Sequence, residues 1–407
     1  MSAPRDRPGR WLRAIVAGAG VVMAGCRAPE WSGTVLDAEI HRPIGHATVC
    51  HNGRAVRTDA RGQFVLPQPD RTKPVFVRAP GYRPLAVPLS GGPPLVVRLE
   101  RFEVRGIYLS HKALGDPETR ARVLGWVDGQ RFNTLVVDLK DEHGRMSFYN
   151  SAPEAGRMGA FGSVRFDDIQ LFLRDLRRKH IYVVGRISVF QDALLAKHKP
   201  QWRPKTEGRP NLFWLDPFRK EVWHYNLAVA QAAAVASFDE ILFDQVRFPG
   251  AGELPGARWA GRNTEANRQR CLKNFLDRAC AELQPYNVLV WVGPRGWDGR
   301  EGEAIGAGDW LTQLAARVDG FAVEVQTVEA VQWVKQRVAQ EPARARVWLR
   351  YSGEIEGTRL SPGWAQVKTL VAACEMARLG GWVLSDPTDR YAYGGETVRK
   401  LVSGDVW

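Results

Sequence analysis

Phe238-Asp239-Glu240-Ile241-Leu242-Phe243-Asp244-Gln245-Val246-Arg247-Phe248-Pro249 is the stretch on which the fold turns. Its apolar run, 240–243 with Glu240 at its head, reads as a strand buried on both faces. Asp244 then stands at the strand's C-terminal end, and the chain breaks at Pro249. Helical spacing precedes this strand over 221–236 and follows it over 265–283. Outward from this unit the pattern repeats. Strand-like runs fall at 104–109, 134–139, 182–188, 240–243, 288–292, 320–323, 347–349 and 381–384. Helical segments at 168–179, 328–340 and 364–379 alternate with them. In the first, Ile169, Phe172, Leu173 and Leu176 share one face. Eight strands, each followed by a helix, over about 300 residues predict a (β/α)8 TIM-type barrel. An open doubly wound sheet is the competing α/β fold. It would need a Gly-rich phosphate loop after its first strand, and Val104-Arg105-Gly106-Ile107-Tyr108 has a single Gly.

Upstream of the barrel the pattern is different. Short extended runs at 33–36, 47–50, 62–66, 75–78 and 95–99 are cut by Arg61-Gly62, Pro80-Gly81 and Gly91-Gly92. They predict a small N-terminal β-sandwich. Earlier still, Arg5, Arg7, Arg10 and Arg13 precede a short apolar run that ends in Met23-Ala24-Gly25-Cys26. The run is too short to span a bilayer and suits a secretory signal. The expected division is therefore 1–26 signal peptide, 27–102 sandwich and 103–407 barrel.

Composition narrows the function classes. The chain has 407 residues with 44% apolar content, enough to bury a substantial core and too much for a disordered chain. The net charge of +13 favours an anionic surface or polymer. Its basic residues are scattered rather than blocked, so a nucleic-acid partner is not expected. Cys50, Cys271, Cys280 and Cys374 match no zinc spacing, HExxH is absent and the eight His are dispersed, so neither metal nor cofactor is expected. Gly-x-Ser-x-Gly is absent too, which argues against a hydrolase built on a serine triad.

In such a barrel chemistry gathers at the C-terminal strand ends. Those ends carry Asp138 and Asp141, Asp244, Glu324 and Asp386, with Arg186, Arg247 and several Trp between them. Glycosidic cleavage needs two carboxyl groups flanking one oxygen, and sugars stack on aromatic rings. The 15 Trp suit that use. Asp244 is the candidate nucleophile or charge stabiliser, with a salt bridge to Arg186 or Arg247 as its structural alternative. Glu324 and Asp138 are candidates for the acid/base. Asp141, Arg186, Arg247, Asp386, Trp214, Trp291 and Trp297 are candidate substrate contacts; for the three Trp the alternative is core packing.

Three resemblances sharpen this reading. The segment ending in Cys26 resembles the bacterial lipobox. That implies a lipid on Cys26, a membrane partner through the anchor and an envelope location, with Arg27 favouring the outer membrane. Gly33-Thr34-Val35, Thr58-Asp59-Ala60-Arg61-Gly62-Gln63-Phe64 and Ala79-Pro80-Gly81-Tyr82 resemble the carboxypeptidase-regulatory-like domain, whose modules usually carry no chemistry. Asn133 to Gly144, Ile181 to Asp192, Trp214-Leu215-Asp216-Pro217, Phe238 to Pro249 and Gly380 to Leu384 resemble the glycoside hydrolase family DUF4015. This third resemblance implies a TIM barrel acting on a polysaccharide, with Asp244 where related glycosidases keep the nucleophile. Gln245, Ala322-Val323-Glu324-Val325-Gln326 and Ser385-Asp386 depart from the family pattern. They keep a non-catalytic polysaccharide-binding lipoprotein as the alternative.

Overall fold

In a computed structural model the chain is described over residues 30–127, 132–148, 153–161, 169–207, 212–250, 253–293, 317–351 and 364–390, apart from 68, 90–91, 340 and 387–388. Two small sheets come first. In one, β1 (Glu30–Asp37) lies between antiparallel β4 (Gln63–Pro67) and parallel β7 (Leu95–Leu99). In the other, β2 (Thr48–His51) lies between β3 (Arg54–Arg57) and β5 (Val75–Arg78), with β6 (Leu85–Val87) at the edge. Trp31, Val35, Val49, Leu66, Val77 and Val97 come from both sheets and close on one apolar cluster. β3 and β6 lie outside the expected strands. Both are short and half-buried or exposed, so neither carries a buried apolar face to read.

The rest is a closed parallel barrel. Its eight strands are β8 (Val104–Leu109), β9 (Thr134–Lys140), β10 (Tyr182–Ser188), β11 (Glu240–Asp244), β12 (Leu289–Val292), β13 (Gly320–Glu324), β14 (Ala345–Arg350) and β15 (Gly381–Ser385). They pair in chain order, and β15 closes onto β8 with Gly381 opposite Val104. Gly381 has φ 108°, and a Cβ there would run into the Val104 backbone, so the closing strand starts on glycine. β14 is longer than the apolar run 347–349. Arg346 and Arg350 hide its ends from a hydrophobicity reading, and Arg346 is buried all the same. The helices lie where expected, for example Ile169–Arg178, Lys220–Val235, Glu265–Leu283 and Val328–Arg337.

Strand alternation sorts the barrel interior by height. Val136, Val184, Leu242, Trp291, Ala322, Trp348 and Val383 form its apolar middle. One register step higher come Tyr108, Asp138, Arg186, Asp244, Glu324 and Ser385, a polar layer at the C-terminal end. The small sheets touch the opposite end. Arg83 donates to the His180 carbonyl, Cys50 Sγ to the Gln284 carbonyl and Arg78 to the Tyr286 carbonyl, all just before β10 or β12 begins.

Candidate functional site

Arg186 organises the upper layer. It projects from β10 and is 1% exposed. Its Nε and Nη2 both lie 2.7 Å from Asp244 Oδ2 on β11. Its Nη1 donates to Asp138 Oδ1 on β9 at 2.6 Å, and its Nη2 reaches Glu142 Oε2 at 3.4 Å. One guanidinium thus ties three carboxylates from three neighbouring elements, a use for which its planar fork of donors is suited. Burial opposes its charge, but Asp244, Asp138 and Glu142 around it hold its pKa well above the ordinary value. The cation is permanent.

Asp244 is fully buried. Its Oδ1 takes the Gln245 N–H at 2.7 Å. That contact bends the chain: Gln245 has φ 54°, a left-handed conformation uncommon for a side chain of this kind. Gly293, just past β12, makes room for the acid, since a Cβ there would lie 2.9 Å from Asp244 Cβ. The strand-end aspartate therefore points into a sealed ion pair with Arg186, the structural alternative weighed for it. It does not line the open cavity above.

That cavity, about 170 Å³, is where the other acids meet. Asp138, Asp141, Glu142, Glu324, Asp386 and Asp389 all line it. Asp138 is 1% exposed and takes the Tyr108 hydroxyl at 2.7 Å and the His111 backbone N–H at 3.1 Å on Oδ2. Burial raises its pKa, opposed by Arg186. Glu324 has a 12% exposed side chain and accepts from Arg350 Nη1 at 3.2 Å. β9 and β13 stand four places apart in the ring of eight, so Asp138 and Glu324 face each other across the mouth. Asp141 accepts from Arg145 at 2.7 Å and from the His143 and Arg145 backbone N–H groups, which fold the loop after β9.

The aromatic candidates fall elsewhere. Trp291 is 1% exposed in the barrel interior, with the Arg346 guanidinium 4.1 Å from its ring centroid and Gly320 against its edge. It is a core residue and offers no face to a sugar. Trp214 is buried, and Arg247, itself paired with Glu253 at 2.7 Å, covers its ring at 4.6 Å. Neither lines the cavity. Trp297 and Cys26 lie outside the described residues. Among the described residues no cluster of His, Cys, Asp and Glu fits a metal ion.

Sequence reasoning gave no role to Tyr108, Glu142 and Asp389 and weighed His111 only as a proton shuttle or a solvent-facing loop residue, yet all four line the cavity. Tyr108 and His111 bracket the end of β8, Glu142 follows Asp141, and Asp389 takes the Ser110 hydroxyl at 2.5 Å. Glu142 was legible, standing two residues past a strand end. Asp389 was not, because its nearness to Ser110 spans 279 residues. Burial pushes both the Asp389 carboxyl up and the His111 imidazole down.

Residues 106–325, just over half of the chain, match the family DUF4015, described as "Putative glycosyl hydrolase domain". Among solved structures, the glycoside hydrolase domain of PgaB (BpsB) from Bordetella bronchiseptica is 13% identical, covering 74% of this chain and 99% of that one at TM-score 0.51. A hypothetical protein from Ruminiclostridium thermocellum is 26% identical, covering 45% and 96% at TM-score 0.39. An endo-1,4-beta-mannanase from Rhizomucor miehei is 12% identical, covering 74% and 94% at TM-score 0.49. No curated protein matches the chain. The PgaB likeness shows the barrel fold and nothing finer.

Proposed function

The chain belongs to the DUF4015 family of glycosyl hydrolase domains, and on that premise we propose that its barrel mouth cleaves or transfers a glycosidic bond of an envelope or extracellular polysaccharide. One observation carries the reading: Asp138 and Glu324 oppose each other across a single cavity on strands four places apart. Glycosidic chemistry needs such a pair on either side of the scissile oxygen. Glu324, the more open of the two, gives its proton to the leaving oxygen as the bond to the anomeric carbon breaks. Asp138, held by Tyr108, His111 N–H and Arg186, balances the positive charge that grows on that carbon. Water then bonds to the anomeric carbon and gives its proton to the Glu324 carboxylate, which restores the acid.

For Asp244 we propose a positioning role in place of the expected nucleophile or charge stabiliser. A nucleophile must reach the sugar, and this carboxylate is fully buried against Arg186. It holds the guanidinium, which in turn orients Asp138 and Glu142. Asp141 and Asp386 are proposed substrate contacts from the cavity wall. Arg247 and Trp214 support the loop after β11 instead.

The test is release of new reducing ends from a panel of envelope polysaccharides. Glu324→Gln and Asp138→Asn are expected to fold normally and to lose turnover by about 10²–10⁴-fold. Unchanged turnover in both would remove the assignment. A second reading, a barrel that holds glycan without cutting it, draws support from the donors that already occupy both oxygens of Asp138. It predicts glycan retention with no reducing ends over long incubation. We also propose that a lipid on Cys26 anchors the chain in the cell envelope, as the motif at 23–26 suggests.

A further inference from the structure

The seam between the small sheets and the barrel base holds two cavities that share Arg57 and Asp319. The larger, about 600 Å³, is of small-ligand size, and such pockets favour boundaries of this kind. Arg42, Arg57, Arg101 and Arg344 line it, against Asp319 and Glu341. Arg101 is paired with Asp37 at 2.7 Å and Arg344 with Glu341 at 2.8 Å. Arg42 and Arg57 are exposed and form no ion pair among the described residues. Ile40, Pro43, Pro80 and Tyr82 supply apolar wall beside them.

The smaller cavity adds an independent sign. Arg78 lines it and is 3% exposed. Its Nη1 donates to Cys50 Sγ at 3.0 Å and to the Tyr286 carbonyl at 2.6 Å, yet its Nε–H has no partner among the described residues. A buried donor without an acceptor is costly, and an oxyanion is the acceptor that a guanidinium pairs with best. Over both cavities, among the described residues, five guanidinium groups face two carboxylates, Asp319 and Glu341.

We propose that this seam is a second binding site, separate from the barrel mouth, for an anionic sugar unit bearing a carboxylate or a phosphate group. Arginine holds the oxyanion, and the apolar wall takes the sugar face. The purified full chain is titrated calorimetrically with trigalacturonate, glucose 6-phosphate, inorganic phosphate and maltotriose. At least one of the two anionic sugars is expected to bind more tightly than maltotriose and than phosphate alone, and which one binds identifies the anionic group. The Arg42→Ala/Arg57→Ala variant, whose altered side chains are exposed, is expected to keep its melting temperature and to lose at least tenfold in affinity. Glu324→Gln, at the far end of the barrel, is expected to leave this binding unchanged. The proposal is overturned if neither anionic sugar binds, if maltotriose or bare phosphate binds as tightly, if the double variant binds like its parent, or if Glu324→Gln abolishes the binding.

Discussion

Asp239 and Asp244 lie at the two ends of one short strand. Asp244, at the top, pairs with Arg186 at 2.7 Å. Asp239, at the base, accepts the Val183 N–H at 2.8 Å, and burial still pushes its carboxyl up to about 6. The folded state therefore keeps this proton to a higher pH than the unfolded chain, where the group titrates near about 3.9. Its contribution to stability is complete below about pH 4 and is lost as pH rises through about 6. Asp239→Asn removes the penalty. Its melting temperature relative to the parent is expected to rise between about pH 4 and pH 7 and then level off. A difference that stays constant over that range would place the titration on another group.

Among the elements, β11 and β14 are braced across the barrel base. Arg346 binds Glu240 through two contacts, at 2.8 and 3.1 Å, and both side chains are buried. Tyr182 adds its hydroxyl to Glu240 at 3.3 Å. Removing one partner of such a pair leaves an uncompensated charge, whereas replacing both with apolar groups is often neutral. Arg346→Met is expected to lower unfolding stability by about 3–5 kcal/mol. Adding Glu240→Leu is expected to recover most of that loss in denaturant titrations. No recovery in the double variant would show that the two charges are not coupled. The same pair explains why β14 outruns its apolar run: an arginine at a strand start breaks that run, and its acidic partner stands 106 residues earlier.

At the scale of the molecule, the two ends of the barrel have different work. The mouth gathers acids, and the base receives the small sheets. β1 runs from Glu30 to Asp37, and Asp37 pairs beside Leu99, close to where the chain enters the barrel. Glu30 is thus about 23 Å along the strand from that junction. We propose that the lipid sits on Cys26, four residues before β1 begins. Cys26→Ser is expected to abolish palmitate labelling and release the chain from the membrane fraction. Persistent labelling in that variant would remove Cys26 as the anchor. Among the described residues no helix is long and apolar enough to cross a membrane.

The barrel was legible in the order of its residues because the signals for strand and helix are local. Runs such as Ile241 to Phe243, and spacings such as Ile169, Leu173 and Leu176, bury themselves whatever lies far along the chain. The set of acids at the strand ends was legible for the same reason. Which acid meets the cavity was not. Arg186 reaches Asp138 across 48 residues and Asp244 across 58, and only the pairing of β10 with β9 and with β11 brings them together. Sequence alone determined the scaffold and the polar rim; the tertiary structure decided that Asp244 is sealed, that Asp138 and Glu324 are opposed and that Trp291 is core, because exposure and pairing depend on how distant segments pack.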